Sequence, residues 1–346
     1  MCRIAVISGF LGSGKTTTII QLGRMLRLRY GKKIAIVVNE IGEVDVDGKF
    51  IRDFGLDVKE ILGGCICCSV RQDLVTTIKT LLTSFNPDII LIEPTGIALP
   101  QQIVNMVSAL ALEHEHISLA PVIVLVDGVR FREVLRELKD FLLHQIKEAE
   151  VVGINKIDSI DRKFELELLK STLREINPRA TILPFSAKSG DGLNSLLSVV
   201  LFNGRIQKYV VMQEELSSTN SGISGCGVEA CVKLKETINE LSLKLIISEL
   251  INKIAEEALK ARGSLIGHIK AHIRTISGSL KASLVSIEAG VDFLGNIEDN
   301  IKDFQLTLFA TVKNLHHDEI KHVIEDSLYK CIEKYALTLE YFEKHH

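Results

Sequence analysis

The sequence predicts a doubly wound α/β domain with a mostly parallel sheet, followed by a second, smaller α+β domain. Three observations predict it. A short apolar run, Arg3 to Ser8, ends in a glycine-rich loop and is followed by apolar residues at helical spacing from Lys15 to Leu28. Further apolar runs, among them Ile34 to Asn39, Asp88 to Glu93 and Pro121 to Asp127, alternate with helical patterns, as strands covered on both faces do. Over residues 213–231 the composition shifts to Ser and Gly, and the pattern that resumes alternates like an antiparallel strand at His268 to Thr275.

The chain has 346 residues, enough for two cores, and the expected division is a first domain at 1–204, a linker at 205–231 and a second domain at 232–346. A net charge of −3 gives no basic footprint for nucleic acid or an anionic membrane. No uninterrupted apolar run is long enough to span a bilayer, and the first residues lead straight into a strand, so a cytoplasmic protein without a signal peptide is expected. The seven cysteines are odd in number and mostly clustered, which argues for ligands or reduced thiols over a disulfide framework. Cys2 and Cys331 read as structural, and Cys226 and Cys231 as reduced linker thiols.

GFLGSGKT, Gly9 to Thr16, has the GxxxxGKT spacing of a P-loop between a strand and a helix. Gly12, Ser13 and Gly14 let backbone amides wrap phosphates, Lys15 brings positive charge to the outer phosphates, and Thr16 offers a hydroxyl to magnesium. Thr17 lies in the first turn of the following helix, whose positive end faces the anion. The run Ile34 to Asn39 delivers NEIGEVDVDG, 39–48. Its Glu40, Glu43, Asp45 and Asp47 suit a segment that orders around magnesium and a terminal phosphate, and equally a solvated acidic loop.

A strand at Val58 to Leu62 precedes GGCICC, 63–68. Cys65, Cys67 and Cys68 cannot all pair with one another, and thiolates this close suit a soft divalent metal; the alternative is three small buried apolar side chains. Three thiolates leave a tetrahedral site one ligand short, to be supplied by Glu40, Glu43, His114, His116 or water. DIILIE, Asp88 to Glu93, continues into EPTG, where Glu93 can hold magnesium through a water and the Gly96 amide can sense a terminal phosphate. Lys15, Thr16 and Glu93 are thus the candidate catalytic groups.

After the strand Pro121 to Asp127, residues Arg130 to Glu148 read as one amphipathic helix, and Val151 to Asn155 opens into NKID. The Asp158 carboxylate can accept from two guanine nitrogens, a match that adenine does not offer, while Asn155 and Lys156 brace the base. Ser186, Ala187 and Lys188, after a strand at Ala180 to Ser186, complete a guanine pocket. In the second domain a helix is expected over Lys233 to Arg262, strands at His268 to Thr275, Leu280 to Ile287 and Phe304 to Val312, and a terminal helix at Asp318 to Phe342. His268, Lys270, His272 and Arg274 share one strand face, which reads as a solvated or partner-facing surface ahead of half a zinc site.

Taken together and in order, GFLGSGKTT, NEIGEVDVDG, GGCICC, DIILIEPTG and NKID closely resemble the CobW-type metallochaperone GTPases, of the same P-loop branch as the urease and hydrogenase nickel-insertion GTPases. The resemblance covers residues 1 to about 204. It implies GTP hydrolysis to GDP with Mg2+, a thiolate site for Zn2+, Co2+ or a related ion at Cys65, Cys67 and Cys68, and delivery to a client metalloprotein or metal-cofactor enzyme. Glu93 is then the glutamate that distinguishes this group. GTPases of this branch often dimerise across the nucleotide, so a homodimer is compatible with it. A second reading keeps the GTPase and drops metal transfer, making the chain a GTP-gated activator of a metallocofactor enzyme such as a corrinoid protein. The histidine-rich tract of many members is absent from this sequence, and no motif of the second domain is matched.

Overall fold

The computed structural model describes residues 1–40, 57–62, 68–114, 116–160, 162–202, 223–263, 265–298 and 300–343. They fall in two compact units, one up to residue 202 and one from residue 223 onward.

The first unit opens with β1 (Cys2–Gly9), α1 (Lys15–Tyr30), β2 (Ile34–Glu40), β3 (Asp57–Leu62) and α2 (Cys68–Thr80), which continues through a π-turn at Leu81–Phe85. Helix α1 stops at Gly31, whose φ of 60° lets its N–H reach the Arg27 carbonyl while Lys32 N–H reaches that of Leu26. There follow β4 (Ile89–Glu93), α3 (Pro100–Glu113), β5 (Ile117–Leu119), β6 (Ile123–Asp127), α4 (Phe131–Glu137) and α5 (Lys139–Lys147). The unit closes with β7 (Val151–Asn155), α6 (Lys163–Ile176), β8 (Thr181–Pro184) and α7 (Leu193–Leu201). The strands form one parallel sheet in the order β3-β2-β4-β1-β6-β7-β8, with β5 beside the start of β1.

That sheet is central because its strands are apolar on both faces: β4, β6 and β7 are buried at every position. Ile4 and Val6 of β1, Val37 of β2 and Ile92 of β4 share a core with Ile78 of α2 and Val104 of α3. Each such side chain contributes about 1.5–3 kcal/mol when removed from water. Cys2 belongs to this core, and burial pushes its thiol up to about 11, so it stays protonated and structural. The single helix expected over Arg130 to Glu148 is instead two, broken at Leu138 with φ −138°. Leu138 is 8% exposed, so packing sets the break without Pro or Gly.

The second unit contains β9 (Ile223–Ile238), α8 (Glu240–Lys260), β10 (Leu265–Thr275), β11 (Gly278–Leu284), β12 (Val291–Asn296), β13 (Ile301–Lys313), α9 (His317–Lys334) and β14 (Thr338–Glu343). Its strands pair antiparallel throughout in the order β12-β11-β10-β13-β9-β14. The α+β class expected of it holds, with a larger sheet than the three expected strands. Residues 223–231, assigned to a linker from their Ser and Gly content, are the first half of β9, and its second half takes in 233–238, expected to be helical. Likewise the terminal helix ends at Lys334, and Thr338–Glu343 returns as a strand beside β9.

Helices α8 and α9 cover one side of this sheet, where Val228, Ile269, Ile273 and Leu308 meet Ile251 and Ile324. Cys331 sits in that core, its thiol also raised to about 11 by burial. The alternate residues of β10 were expected to face solvent or a partner. His268 and His272 are instead only 4% and 2% exposed, and Lys281, Thr307 and Thr311 on the neighbouring strands are buried as well. His316 caps α9 in a capping box with Glu319, which is why this exposed histidine stands at a helix start. Among the described residues no helix is long and apolar enough to cross a membrane.

Candidate functional site

Because every pairing in the first sheet is parallel, the carboxyl ends of its strands share one edge, where ligands of open α/β sheets bind. The chain leaves β1 at that edge through residues 10–14 and enters α1 at Lys15. Gly14, with φ 88°, is the residue before the helix, and a Cβ built on it would lie 2.2 Å from Asn155 Nδ2. Only glycine satisfies both the left-handed backbone and the close approach. Gly14→Ala is therefore expected to lower affinity for a fluorescent GDP analogue by at least about tenfold, measured by titration, because strain of roughly 1–3 kcal/mol falls on the loop. Affinity within twofold of the unmodified chain would contradict it.

Lys15 and Thr16 are buried, and the Lys15 ammonium lies 3.5 Å from the Phe10 carbonyl inside the loop. Thr16 Oγ1 donates to Glu93 Oε1 at 2.9 Å, and both residues are nearly inaccessible to water. One hydroxyl from the first turn of α1 and one carboxylate from the end of β4 make an all-oxygen donor pair, which fits a hard cation such as magnesium. Beyond Glu93, Gly96 packs so tightly on the loop that a Cβ would lie 2.8 Å from Leu11 N. The two segments expected to meet a terminal phosphate are thus in contact with each other.

The residues expected to recognise the base are tied to the same loop by one side chain. Asn155, 3% exposed, donates from Nδ2 to the Ser13 carbonyl at 2.9 Å. Its Oδ1 accepts from Lys156 N at 2.8 Å and from Ala187 N at 3.0 Å. Ser186 Oγ in turn accepts from Lys188 N and Ser189 N, shaping the turn after β8. Lys156 has φ 66°, and its ammonium pairs with Asp127 Oδ2 at 2.8 Å. Asp127 Oδ1 accepts from the backbone N–H of Val129 and Arg130. Asp158 and Lys188 are exposed at the mouth of this cluster. Asp127 had no assigned role in the sequence; a carboxylate ending an otherwise apolar buried strand was the available signal.

The sequence also gave no role to Gln145 and Glu148 near the end of α5, both of which contact the stretch between β4 and α3. Burial raises the Glu148 carboxyl above its ordinary pKa, opposed by the Gln101 N–H and by His144.

The thiol cluster is described only at its end, where Cys68 begins α2. Cys65 and Cys67, and Glu43, Asp45 and Asp47, lie outside the described residues. Glu40 ends β2 in register with Leu62, the last residue of β3. The topology removes two of the proposed fourth ligands. His114 ends α3, and the His116 carbonyl accepts from Cys2 N at the amino edge of the sheet, opposite the edge where β3 ends. Among the described residues no group of three or more His, Cys, Asp or Glu could hold a metal ion.

The profile of the CobW/HypB/UreG nucleotide-binding domain matches residues 3–184. The chain is similar to the zinc chaperone YeiR of Escherichia coli (strain K12), 37% identical over 49% of this chain and 50% of that protein. It is similar to the zinc chaperone CobW of Sinorhizobium sp, 33% identical over 56% and 60%, respectively. It also resembles the zinc-regulated GTPase metalloprotein activator 1 of Dictyostelium discoideum, 29% identical over 58% and 49%. The chain spans about half the length of these curated relatives.

Proposed function

The chain belongs to the CobW/HypB/UreG nucleotide-binding domain family, and we propose that it is a GTPase that carries a divalent metal, zinc first, to a client metalloprotein. The observation that carries this reading is the common edge. The phosphate loop follows β1, Glu93, which accepts from Thr16, ends β4, and Leu62, directly before GGCICC, ends β3, all at the carboxyl edge of one parallel sheet. Nucleotide chemistry and thiol chemistry are then neighbours by topology.

In this reading the amides of residues 12–14 and the Lys15 ammonium hold the phosphates, and the helix α1 dipole favours their charge. Thr16 and Glu93 hold magnesium, which when bound neutralises charge on the phosphate oxygens. Gly96 meets the terminal phosphate through its backbone N–H, and Asp158 selects guanine with Asn155, Lys156 and Ala187 fixing the pocket. Catalysis is positioning and charge stabilisation around a water that attacks the terminal phosphate. Cys65, Cys67 and Cys68 grip the metal as thiolates, with Glu40 or Glu43 completing the set, and loss of the terminal phosphate loosens that grip. The similarity to two zinc chaperones supports zinc as the cargo.

Linkage makes the coupling reciprocal, so GTP tightens metal binding by the factor by which metal tightens GTP binding. Competitive zinc titration of the reduced protein is expected to give an affinity roughly 5-fold or more higher with a non-hydrolysable GTP analogue than with GDP. Equal affinities would sink the coupling. Cys→Ser replacement at positions 65, 67 and 68 that abolishes zinc binding yet leaves client activation intact would favour a GTP-gated activator without metal transfer.

A further inference from the structure

Gln145 near the end of α5 and Glu148 directly after it hold the passage from β4 into the first turn of α3 with opposite chemistry. Gln145, 0% exposed, donates from Nε2 to the Ala98 carbonyl at 2.9 Å and to the Gly96 carbonyl at 3.4 Å. Glu148 Oε2 accepts from Gln101 N at 2.9 Å in the first turn of α3. Between them they fix residues 96–101, which begin at the glycine packed on Leu11 of the phosphate loop. Two carbonyls facing one amide also settle which end of the Gln145 side chain points toward them, since its oxygen would be repelled there. That oxygen, Oε1, is buried and has no hydrogen-bond partner among the described residues. Half of the amide is therefore matched to this arrangement of the stretch, and half is left over for another.

We propose that Gln145 is a positioning residue: it latches residues 96–98 in the arrangement seen here and so sets how strongly the site prefers a nucleoside triphosphate over a diphosphate. This rests on the GTPase reading above. Only a nucleotide with a terminal phosphate reaches Gly96, so the latch opposes triphosphate binding if the stretch must move to meet it, and leaves diphosphate binding alone. A ligand shifts such an equilibrium only through its different affinity for the two arrangements. Glu148 anchors the far end of the stretch, so movement is confined to the residues that Gln145 holds.

The test uses Gln145→Met, which keeps the volume and removes the donor. Dissociation constants for GDP and for a non-hydrolysable GTP analogue are measured by titration of the full chain, with and without the substitution. The expected result is that the ratio of the GDP constant to the GTP-analogue constant rises about 5-fold or more, with the GDP constant nearly unchanged. A ratio that stays within twofold, or two constants that weaken together, overturns the latch, since a merely structural role moves both alike. If the unsubstituted chain binds neither nucleotide, the GTPase reading itself falls and the latch with it. Should Gln145→Met not fold, Gln145→Glu, which turns acceptor oxygens toward the two carbonyls, is read by the same ratio.

Discussion

Asn155→Ala is expected to cost the first unit about 3 kcal/mol and to lower guanine-nucleotide affinity more than about a hundredfold. The side chain makes three hydrogen bonds in a buried position, to the Ser13 carbonyl and from the N–H groups of Lys156 and Ala187. Truncation leaves all three backbone groups without that partner, at about 1 kcal/mol each by the usual net value, and more where water does not enter. For a unit of this size the melting temperature should fall by roughly 6–12 °C. Affinity falls as well as stability, because Ser13 lies in the phosphate loop while Lys156 and Ala187 shape the proposed base site. Thermal unfolding and nucleotide titration check the two halves separately. A variant that melts early yet binds GDP within threefold of the unmodified chain would show that the loops do not depend on this link.

The second large effect concerns selectivity. Asp158 is exposed, and the contact it receives from Ser159 Oγ is long, 3.4 Å, so Asp158→Asn should leave folding intact. A carboxylate accepts from both the ring N–H and the exocyclic amine of guanine. An asparagine amide still accepts one of these but turns a donor toward the other. GTP is expected to bind roughly a hundredfold or more weakly, from losing a charge-assisted pair and gaining a donor–donor clash. Xanthosine triphosphate carries a carbonyl where guanine carries the amine, so it should bind the variant better than GTP does. Competition between the two nucleotides on both proteins measures it, and a variant that still prefers GTP would remove Asp158 from base recognition.

What could be read from the sequence was what local chemistry determines. The apolar runs of β1, β2, β4, β6 and β7 announce a parallel sheet, because strands covered on both faces have no polar alternation to confuse with anything else. Position β9 went unread for the converse reason. Cys226, Val228, Ala230 and Val232 alternate with Gly227, Glu229 and Cys231 and are all buried, but Ser224, Gly225 and Gly227 mimic a linker. The break at Leu138 carries no Pro or Gly, so nothing local announces it. Gln145 belongs to no motif: a lone glutamine on a helix acquires meaning only when the fold sets two carbonyls before it. The buried state of His268 and His272 is of the same kind, since alternation tells which residues share a face and not whether water reaches it.

The strand order has one more consequence. With β1 in the middle, the strands that lead to the residues proposed to read guanine, β6, β7 and β8, lie on one flank, and those that lead to Glu40, Glu93 and the cysteines, β2, β3 and β4, on the other. Handle and trigger are therefore separate parts that share the phosphate loop as their axle. Under the function proposed above, a change of base preference is installed on one flank without touching the strands that lead to the cysteines, and a change of metal on the other without touching the base site.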